Sequence, residues 1–307
     1  MLSQSPPTLP QVSPIPSAPP TNPPDGLPEP AIRGTNSLSL SVVIPSYNRL
    51  SDLIIATASL YRTGQTLGQA GKLEILVQDD CSDTFDVMEV LPPVFCPARN
   101  AERLGFSGNC NAGAARAKGD ILLFLNQDTK ARDGWVMPLL NLFETNPMVG
   151  IVGPKLVTIG TRPVNREASL TPWVTGDCIQ SCGGLYDARG GPYHRYLGYA
   201  ADDWRVNVCE RISWTTGAAL AIRRNLFNAC IGFDVAYELG YFEDVDLCQK
   251  AKRLGYEVWY QPESVFEHKA GSTGGIPPHV FRQNSLLFHS RWDKVIVPDT
   301  TAVMVNY

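Results

Sequence analysis

The 307-residue sequence has no excess of basic charge: 26 Lys and Arg stand against 30 Asp and Glu, for a formal net charge of −4. A mildly acidic chain offers no electrostatic footprint for nucleic acid. It also has no run of about 18 consecutive apolar residues, so a membrane-spanning helix is not expected and only peripheral contact with a bilayer stays open. Its eight cysteines (81, 96, 110, 178, 182, 209, 230 and 248) include no Cys-x-x-Cys pair, which argues against a zinc ribbon or a redox dithiol. Cys178 and Cys182, four apart in a loop-rich stretch, could meet, but read first as two reduced thiols of a cytoplasmic chain. Finally, the segment that follows the first apolar run, IPSYNRLSD, contains no glycine. That excludes the glycine-rich phosphate loop of a nucleotidyltransferase and the dinucleotide fingerprint of a dehydrogenase.

What the sequence does have in abundance is proline, unevenly placed, with 11 of its 25 prolines in the first 30 residues. That stretch holds few large apolar side chains and no Lys or Arg before Arg33. It cannot bury a core and lacks the charged start of a secretory signal, so residues 1–37 are expected to be a solvated leader. The remaining 270 residues suffice for one large α/β domain or a domain with an insertion.

Beyond the leader, Leu38–Pro45 is an apolar, β-rich run, followed by Leu50, Leu53, Ile54, Thr57, Ala58 and Tyr61 at helical spacing. A second strand, Leu73–Gln78, runs into the acidic turn DDCSD. A weaker helix follows, then a break at Pro92-Pro93 and a short strand near Val94–Pro97. A helix from about Gly108 to Lys118 is expected to end at Gly119 as a C-cap glycine. Strand Asp120–Asn126 leads into the turn QDT and a helix bearing Trp135, Val136, Leu139, Leu140 and Phe143. Alternation of this kind predicts a mostly parallel sheet covered on both faces, with ligands at the carboxyl ends of the strands. Those ends read SYNR, DDCSD and NQD. The second half is less regular. Gly150–Val157 and Ile212–Arg224 have strand character, 159–210 reads as loops and hairpins, a helix ends at Gly255, and another covers about His279–Arg291.

Three polar clusters invite chemistry. Asp79, Asp80 and Asp83 crowd one turn, where turn formation and capping alone would account for them. Asn126-Gln127-Asp128 sits on the tip of an apolar strand, where a carboxylate can hold a hard divalent cation that keeps positions open for phosphates. Glu243, Asp244 and Asp246 open a helix, where acids complement the dipole. There a carboxylate could also accept a proton from an attacking hydroxyl. A lone His268, in FEHKAGS, gains interest as a neutral imidazole completing a metal site with Asp128.

In order along the chain, VVIPSYNR, VQDDCSD, RLGFSGNCNAGAARAKGDILLFLNQDT, TGAALAIRRNLF, GFD, YFEDVDLCQKAKRLGYEVWYQPES and FEHKAGS resemble glycosyltransferase family 2. These are the inverting nucleotide-sugar transferases of the GT-A fold, and the likeness is nearest to the rhamnosyltransferase-like branch. It runs from about residue 39 to 290 and lapses in much of 159–210. The resemblance implies that Pro45, Tyr47 and Asn48 line the nucleotide pocket, with Arg49 near the phosphates. It places Asp79 on a uracil or thymine imide, since a carboxylate only accepts. Arg103, Asn109 and Asn111 match the segment that closes over nucleoside and sugar. Asn126 stands where the family's DxD motif has its first acid, Gln127 lies between, and Asp128 is the metal-binding acid. His268 is then a second ligand for Mn2+ or Mg2+. Asp244 matches the catalytic base and Glu243 the acid beside it, suited to acceptor hydroxyls.

The expected fold class is therefore an α/β GT-A, Rossmann-like sheet with a smaller irregular or antiparallel acceptor-side part. Its expected divisions are a leader (1–37), a nucleotide-sugar-binding half (38–158), an acceptor-binding and catalytic half (159–295) and a C-terminal extension (296–307). The expected donor is a UDP- or dTDP-sugar, and the acceptor a saccharide or lipid-linked saccharide. The enzyme would work in the cytoplasm, the inner membrane face included. Trp173, Tyr186, Tyr193, Tyr196 and Trp204 are candidates for stacking on acceptor sugars. The competing class, a noncatalytic nucleotide-sugar or glycan-binding protein on the same fold, would be expected to lack Asp128 or Asp244.

Overall fold

The computed structural model describes residues 38–69, 71–158, 177–269 and 275–299; the leader, most of the expected C-terminal extension and Trp173 lie outside the described residues. The first half alternates as expected. Strand β1 (Leu40–Ser46) is followed by α1 (Leu50–Thr63), the short α2 (Gln65–Gln69), β2 (Leu73–Asp79), α3 (Val87–Val90), β3 (Ala98–Arg99), α4 (Gly105–Arg116) and β4 (Ile121–Leu125). Then come β5 (Thr129–Ala131), α5 (Val136–Thr145) and the long β6 (Val149–Thr158). The second half holds the short strands β7 (Cys178–Ser181), β8 (Gly184–Tyr186), β9 (Pro192–His194) and β10 (Glu210–Arg211), then β11 (Ala219–Arg223), α6 (Arg224–Ala229), α7 (Glu243–Arg253), β12 (Glu257–His268) and α8 (Pro278–Trp292).

The main sheet has the order β10-β12-β6-β11-β4-β1-β2-β3, with β5 added to β12 and β7 to β6. β3, β2, β1 and β4 pair in parallel, as do β6 and β12. β11 is antiparallel to both β4 and β6, so those two blocks point the same way across it. The result is the expected mostly parallel sheet, with a separate antiparallel hairpin of β8 and β9.

Strand alternation sends side chains to two cores. Val42, Ile44 and Leu123 pack on one side with Leu53, Leu60, Trp135, Leu139 and Phe143 of α1 and α5. Val43, Leu122 and Phe124 pack on the other with Cys110, Leu247 and Phe288 of α4, α7 and α8. All eight cysteines are free thiols.

Three local expectations need correction. Val94–Pro97 is not a strand. Pro92 and Pro93 start a 3-10 turn over Pro93–Phe95, since proline presets the turn dihedral and cannot donate to a ladder; the strand begins only at Ala98. Gly119 is not a helix cap, because α4 ends at Arg116 with Ala117 as its cap. A Cβ on Gly119 would lie 2.5 Å from the Ser41 backbone nitrogen, so close approach to β1 is what requires glycine there. Gly255, by contrast, follows α7 at φ +82, the left-handed helix stop expected of it. Thirdly, strand β11 begins only at Ala219; the preceding Thr215-Thr216-Gly217 is a loop with a different task.

Candidate functional site

The carboxyl ends of β1 and β2 are bound to each other by their loops. After β1, Asn48 and Arg49 adopt left-handed backbone (φ 53 and 58). That turns the Asn48 carbonyl oxygen Oδ1 toward the next loop, where it accepts from Asp83 N (3.0 Å) and from Thr84 N and Oγ1 (3.3 and 3.0 Å). The Asn48 N–H donates to Ser82 Oγ (2.7 Å), and the Tyr47 hydroxyl donates to Asp83 (2.9 Å). Gln127 clamps the Tyr47 backbone from β4's side, accepting from its N–H at 3.2 Å and donating to its carbonyl at 2.9 Å. The guanidinium of Arg103 lies 3.8 Å from the Tyr47 ring centroid, a cation–π contact that leaves the aromatic face covered by a planar group. Arg49 pairs with the buried Asp52, which Lys269 also reaches at 3.1 Å.

Asp79 is completely buried. One oxygen accepts from Ser82 Oγ (2.5 Å), and the other from Ser82 N (2.9 Å) and the Arg99 guanidinium (2.9 Å). The same Arg99 donates to the Ser82 and Phe85 carbonyls. Asp80 accepts from Leu104 N (2.7 Å) and Gly105 N (2.9 Å), capping the start of α4 from a distance in sequence. Asn109 and Asn111 also spend their amides on the protein. Asn109 donates to the Gln78 carbonyl and accepts from Asn100. Asn111 exchanges two hydrogen bonds with the Phe233 backbone, fastening α4 to the GFD loop. The acidic turn and α4 thus shape one wall, with Tyr47 and Arg103 on its surface.

The third strand end carries Asp128. Antiparallel register between β5 and β12 sets His268 opposite Thr129, and the Lys269 N–H donates to the Asp128 carbonyl. His268 Nε2 therefore comes 3.2 Å from Asp128 Oδ1, with both side chains buried. The other ring nitrogen, Nδ1, lies 3.0 Å from Gln180 Oε1 on β7. With an amide oxygen there, the tautomer that carries its proton on Nδ1 turns the Nε2 lone pair toward the carboxylate. An Nε2 lone pair and a carboxylate oxygen at that separation can share a cation, and N plus O donors suit Mn2+ or Mg2+. Two ligands bound at right angles to an ion with bonds of about 2.1 Å lie about 3 Å apart, so the pair fits such an ion. Among the described residues no cluster of three or more His, Cys, Asp or Glu forms. Substrate phosphates and water would have to supply the remaining ligands.

Asp244 opens α7. Its Oδ2 accepts from Gly217 N and its Oδ1 from Val245 N, both at 2.8 Å. Burial pushes its carboxyl above the ordinary range, against the pull of these N–H donors. Glu243 beside it is pushed up further, by burial first and then by the Asp244 charge. Its Oε2 has no hydrogen-bond partner among the described residues. The approach is strained: Leu239, Gly240, Tyr241 and Phe242 all have positive φ, between 60 and 126, a cost of the kind concentrated at working sites. Asp246, the third acid, is a brace instead. It accepts from the Trp292 indole (2.9 Å) and the Tyr237 hydroxyl (3.1 Å) and pairs with Lys250 (2.8 Å).

The two chemistries meet at two adjacent residues. Gly217 N holds Asp244, and the next residue, Ala218, accepts through its carbonyl from Asn126 N at 3.0 Å. The loop entering β11 thereby ties the α7 carboxylate to the turn that carries Asp128. Sequence reasoning missed this loop's role, along with Arg99 and Gln180, whereas the capping expected of the acidic turn is what Asp80 does. Tyr186 is buried, bonded to Gln249 and stacked on Phe288, so it cannot face a sugar; Tyr193 and Tyr196 are half-buried and Trp204 is 76% exposed.

Residues 41–205 match the family model described as Glycosyl transferase family 2. The chain is 26% identical over 237 residues to a pre-mycofactocin glycosyltransferase of Mycobacterium tuberculosis, covering 76% of this chain and 43% of that protein. It is 30% identical over 169 residues to an N-acetylglucosaminyl-diphospho-decaprenol L-rhamnosyltransferase of the same organism, covering 52% of this chain and 50% of that one. The chain thus spans no more than about half the length of these curated relatives. Among solved structures, GalNAc-T7 with UDP, GalNAc and Mn2+ superposes with a TM-score of 0.65 at 19% identity, over 83% of this chain and 49% of that one. That likeness is one of fold, and it is the GT-A arrangement expected from the sequence.

Proposed function

This chain belongs to glycosyltransferase family 2, and from that premise we propose that it moves a sugar, with inversion, from a UDP- or dTDP-sugar to a hydroxyl of a saccharide or lipid-linked saccharide. The observation that carries this reading is the Gly217-Ala218 peptide pair, which connects a shielded carboxylate to the Asp128 turn. A proton acceptor and a charge-neutralising centre are what a single displacement at a sugar carbon needs, one on the nucleophile's side and one on the leaving group's.

Asp244 is the general base in this reading. Two N–H donors fix its orientation, and burial restores the basicity that those donors and the helix start would remove. It takes the proton of the acceptor hydroxyl as that oxygen attacks, and no covalent enzyme intermediate is required. Glu243, whose burial favours the protonated form of its carboxyl, donates a hydrogen bond from Oε2, the oxygen without a partner among the described residues, and so helps place the acceptor. Asp128 and His268 would hold Mn2+ or Mg2+, which when bound neutralises charge on the departing diphosphate.

On the donor side, Pro45, Tyr47, Asn48 and Arg103 form the nucleoside wall. Asp79, expected to meet the base itself, has both oxygens taken by Ser82 and Arg99 and acts on the donor, with Asn109, Asn111 and Gln127, by holding that wall in place; Asn126 ties the Asp128 turn to Ala218, and Arg49 contributes charge near the phosphates. The acceptor is assigned to the 159–295 half, with Trp204 as its exposed aromatic. Among the described residues no helix is long and apolar enough to cross a membrane, so a lipid-linked acceptor would be met peripherally. The deciding experiment is a donor screen. UDP-, dTDP- and GDP-sugars are incubated with the protein and Mn2+, and release of nucleoside diphosphate is measured. Turnover of a UDP- or dTDP-sugar is expected; nucleotide binding without release under any acceptor condition would favour a noncatalytic binding protein.

A further inference from the structure

The side chain that meets Nδ1 of His268 lies outside every motif of the sequence. β7 pairs with β6 through Leu156↔Ser181 and Val157↔Ile179, so one step along β6 corresponds to two along β7. The unmatched residue is Gln180, the bulged position of a β-bulge, a device that re-aims a side chain beside a working site. The flanking residues are firmly held. Ile179 N donates to the Tyr199 carbonyl (2.7 Å), its carbonyl accepts from Gly198 N (2.8 Å), and Ile179 and Ser181 are buried. Between these anchors Gln180 puts Oε1 3.0 Å from His268 Nδ1.

We propose that Gln180 is a positioning residue for the cation site: its amide oxygen takes the Nδ1–H of His268 and so commits the Nε2 lone pair to the side of Asp128. This rests on the reading of Asp128 and His268 as cation ligands. A histidine ligand is oriented, and its basicity raised, by the acceptor on its other nitrogen. Because β7 is bonded to the Gly198-Tyr199 stretch, the orientation of the imidazole is set by a strand other than the one that bears it.

The test is Mn2+ binding, followed through the EPR signal of the free ion, alone and with UDP or dTDP. Asp128→Ala and His268→Ala are the controls; unchanged affinity in both would overturn the cation reading itself, and this proposal with it. Given weakened binding in the controls, Gln180→Leu is expected to raise the Mn2+ dissociation constant about ten- to a hundredfold. Gln180→Glu, which keeps an acceptor oxygen in place, should stay within about threefold of the original chain. Nitrogen-15 NMR of the histidine ring should show the Nδ1–H tautomer in the original and the Glu chain and a mixed or reversed tautomer in Gln180→Leu. Because Gln180→Glu and the tautomer spectrum do not depend on Gln180→Leu folding well, they decide the matter if that variant is unstable. Unchanged Mn2+ affinity in folded Gln180→Leu, or a large loss in Gln180→Glu, would refute the role.

Discussion

Asp244 Oδ2 and Gly217 N lie 2.8 Å apart across 27 residues of sequence. That bond draws the first turn of α7 against the loop before β11, where a Cβ on Gly217 would press within 3.2 Å of the Phe106 ring. The carboxylate is thus held still at a site with little water, the condition under which a single proton acceptor is worth most.

Asp244→Asn keeps the size of the side chain and the carbonyl that can accept from Gly217, but it cannot accept a proton. Transfer should fall about 10²–10⁴-fold, the usual worth of a general base, while UDP or dTDP binding changes little. Calorimetry of nucleotide binding beside a turnover assay separates the two; full activity in the variant would end the assignment of Asp244 as base.

Treatment with EDTA should reduce turnover by about a hundredfold or more, the several kcal/mol supplied by charge neutralisation at a leaving group, and added Mn2+ or Mg2+ should restore it. Asp128→Ala should show the same loss without rescue. Chelator-insensitive turnover would mean that the Asp128–His268 pair is an ordinary buried contact.

How much of this was legible beforehand varies with the range of the interaction. Local periodicity yields β1, β2, β4 and their helices, because apolar alternation and helical spacing act within a few residues. Asp128 and His268 could be coupled only through the family's motif order, yet their meeting depends on the β5–β12 register, which pairs Thr129 with His268. Asp79 and Asp80 looked alike in sequence. Their roles diverge because Arg99, twenty residues on, closes around one while the N–H groups of Leu104 and Gly105 close around the other. Gln180 had no signal at all, since a bulge is a property of two strands and not of either sequence alone.

Glu243 gives a pH prediction whose sign can be worked through. Its carboxyl is raised in the folded chain and near 4.3 in the unfolded one. As pH rises above that value the unfolded chain gives up this proton first, so the folded state binds more protons and stability falls with pH. Glu243→Gln removes the titrating group. The melting temperatures of the two chains should lie close together near pH 4.5, and the variant should melt progressively higher than the original toward pH 8. A constant gap across that range would show that Glu243 does not retain its proton on folding.

Trp204 projects from a 3-10 turn over Trp204–Val206 with 76% of its surface exposed, while Tyr186 is enclosed by Gln249 and Phe288. An aromatic face left in water is a platform for the apolar face of a saccharide, and its removal takes nothing from the core. Trp204→Ala should therefore leave the melting temperature and acceptor-independent donor hydrolysis unchanged. It should raise the KM for acceptor about five- to tenfold, roughly the 1 kcal/mol that a truncated contact aromatic is worth. An unchanged acceptor KM would move the acceptor site away from this turn. Tyr186→Phe, silent toward acceptor but stripped of its bond to Gln249, should do the reverse and lower stability alone.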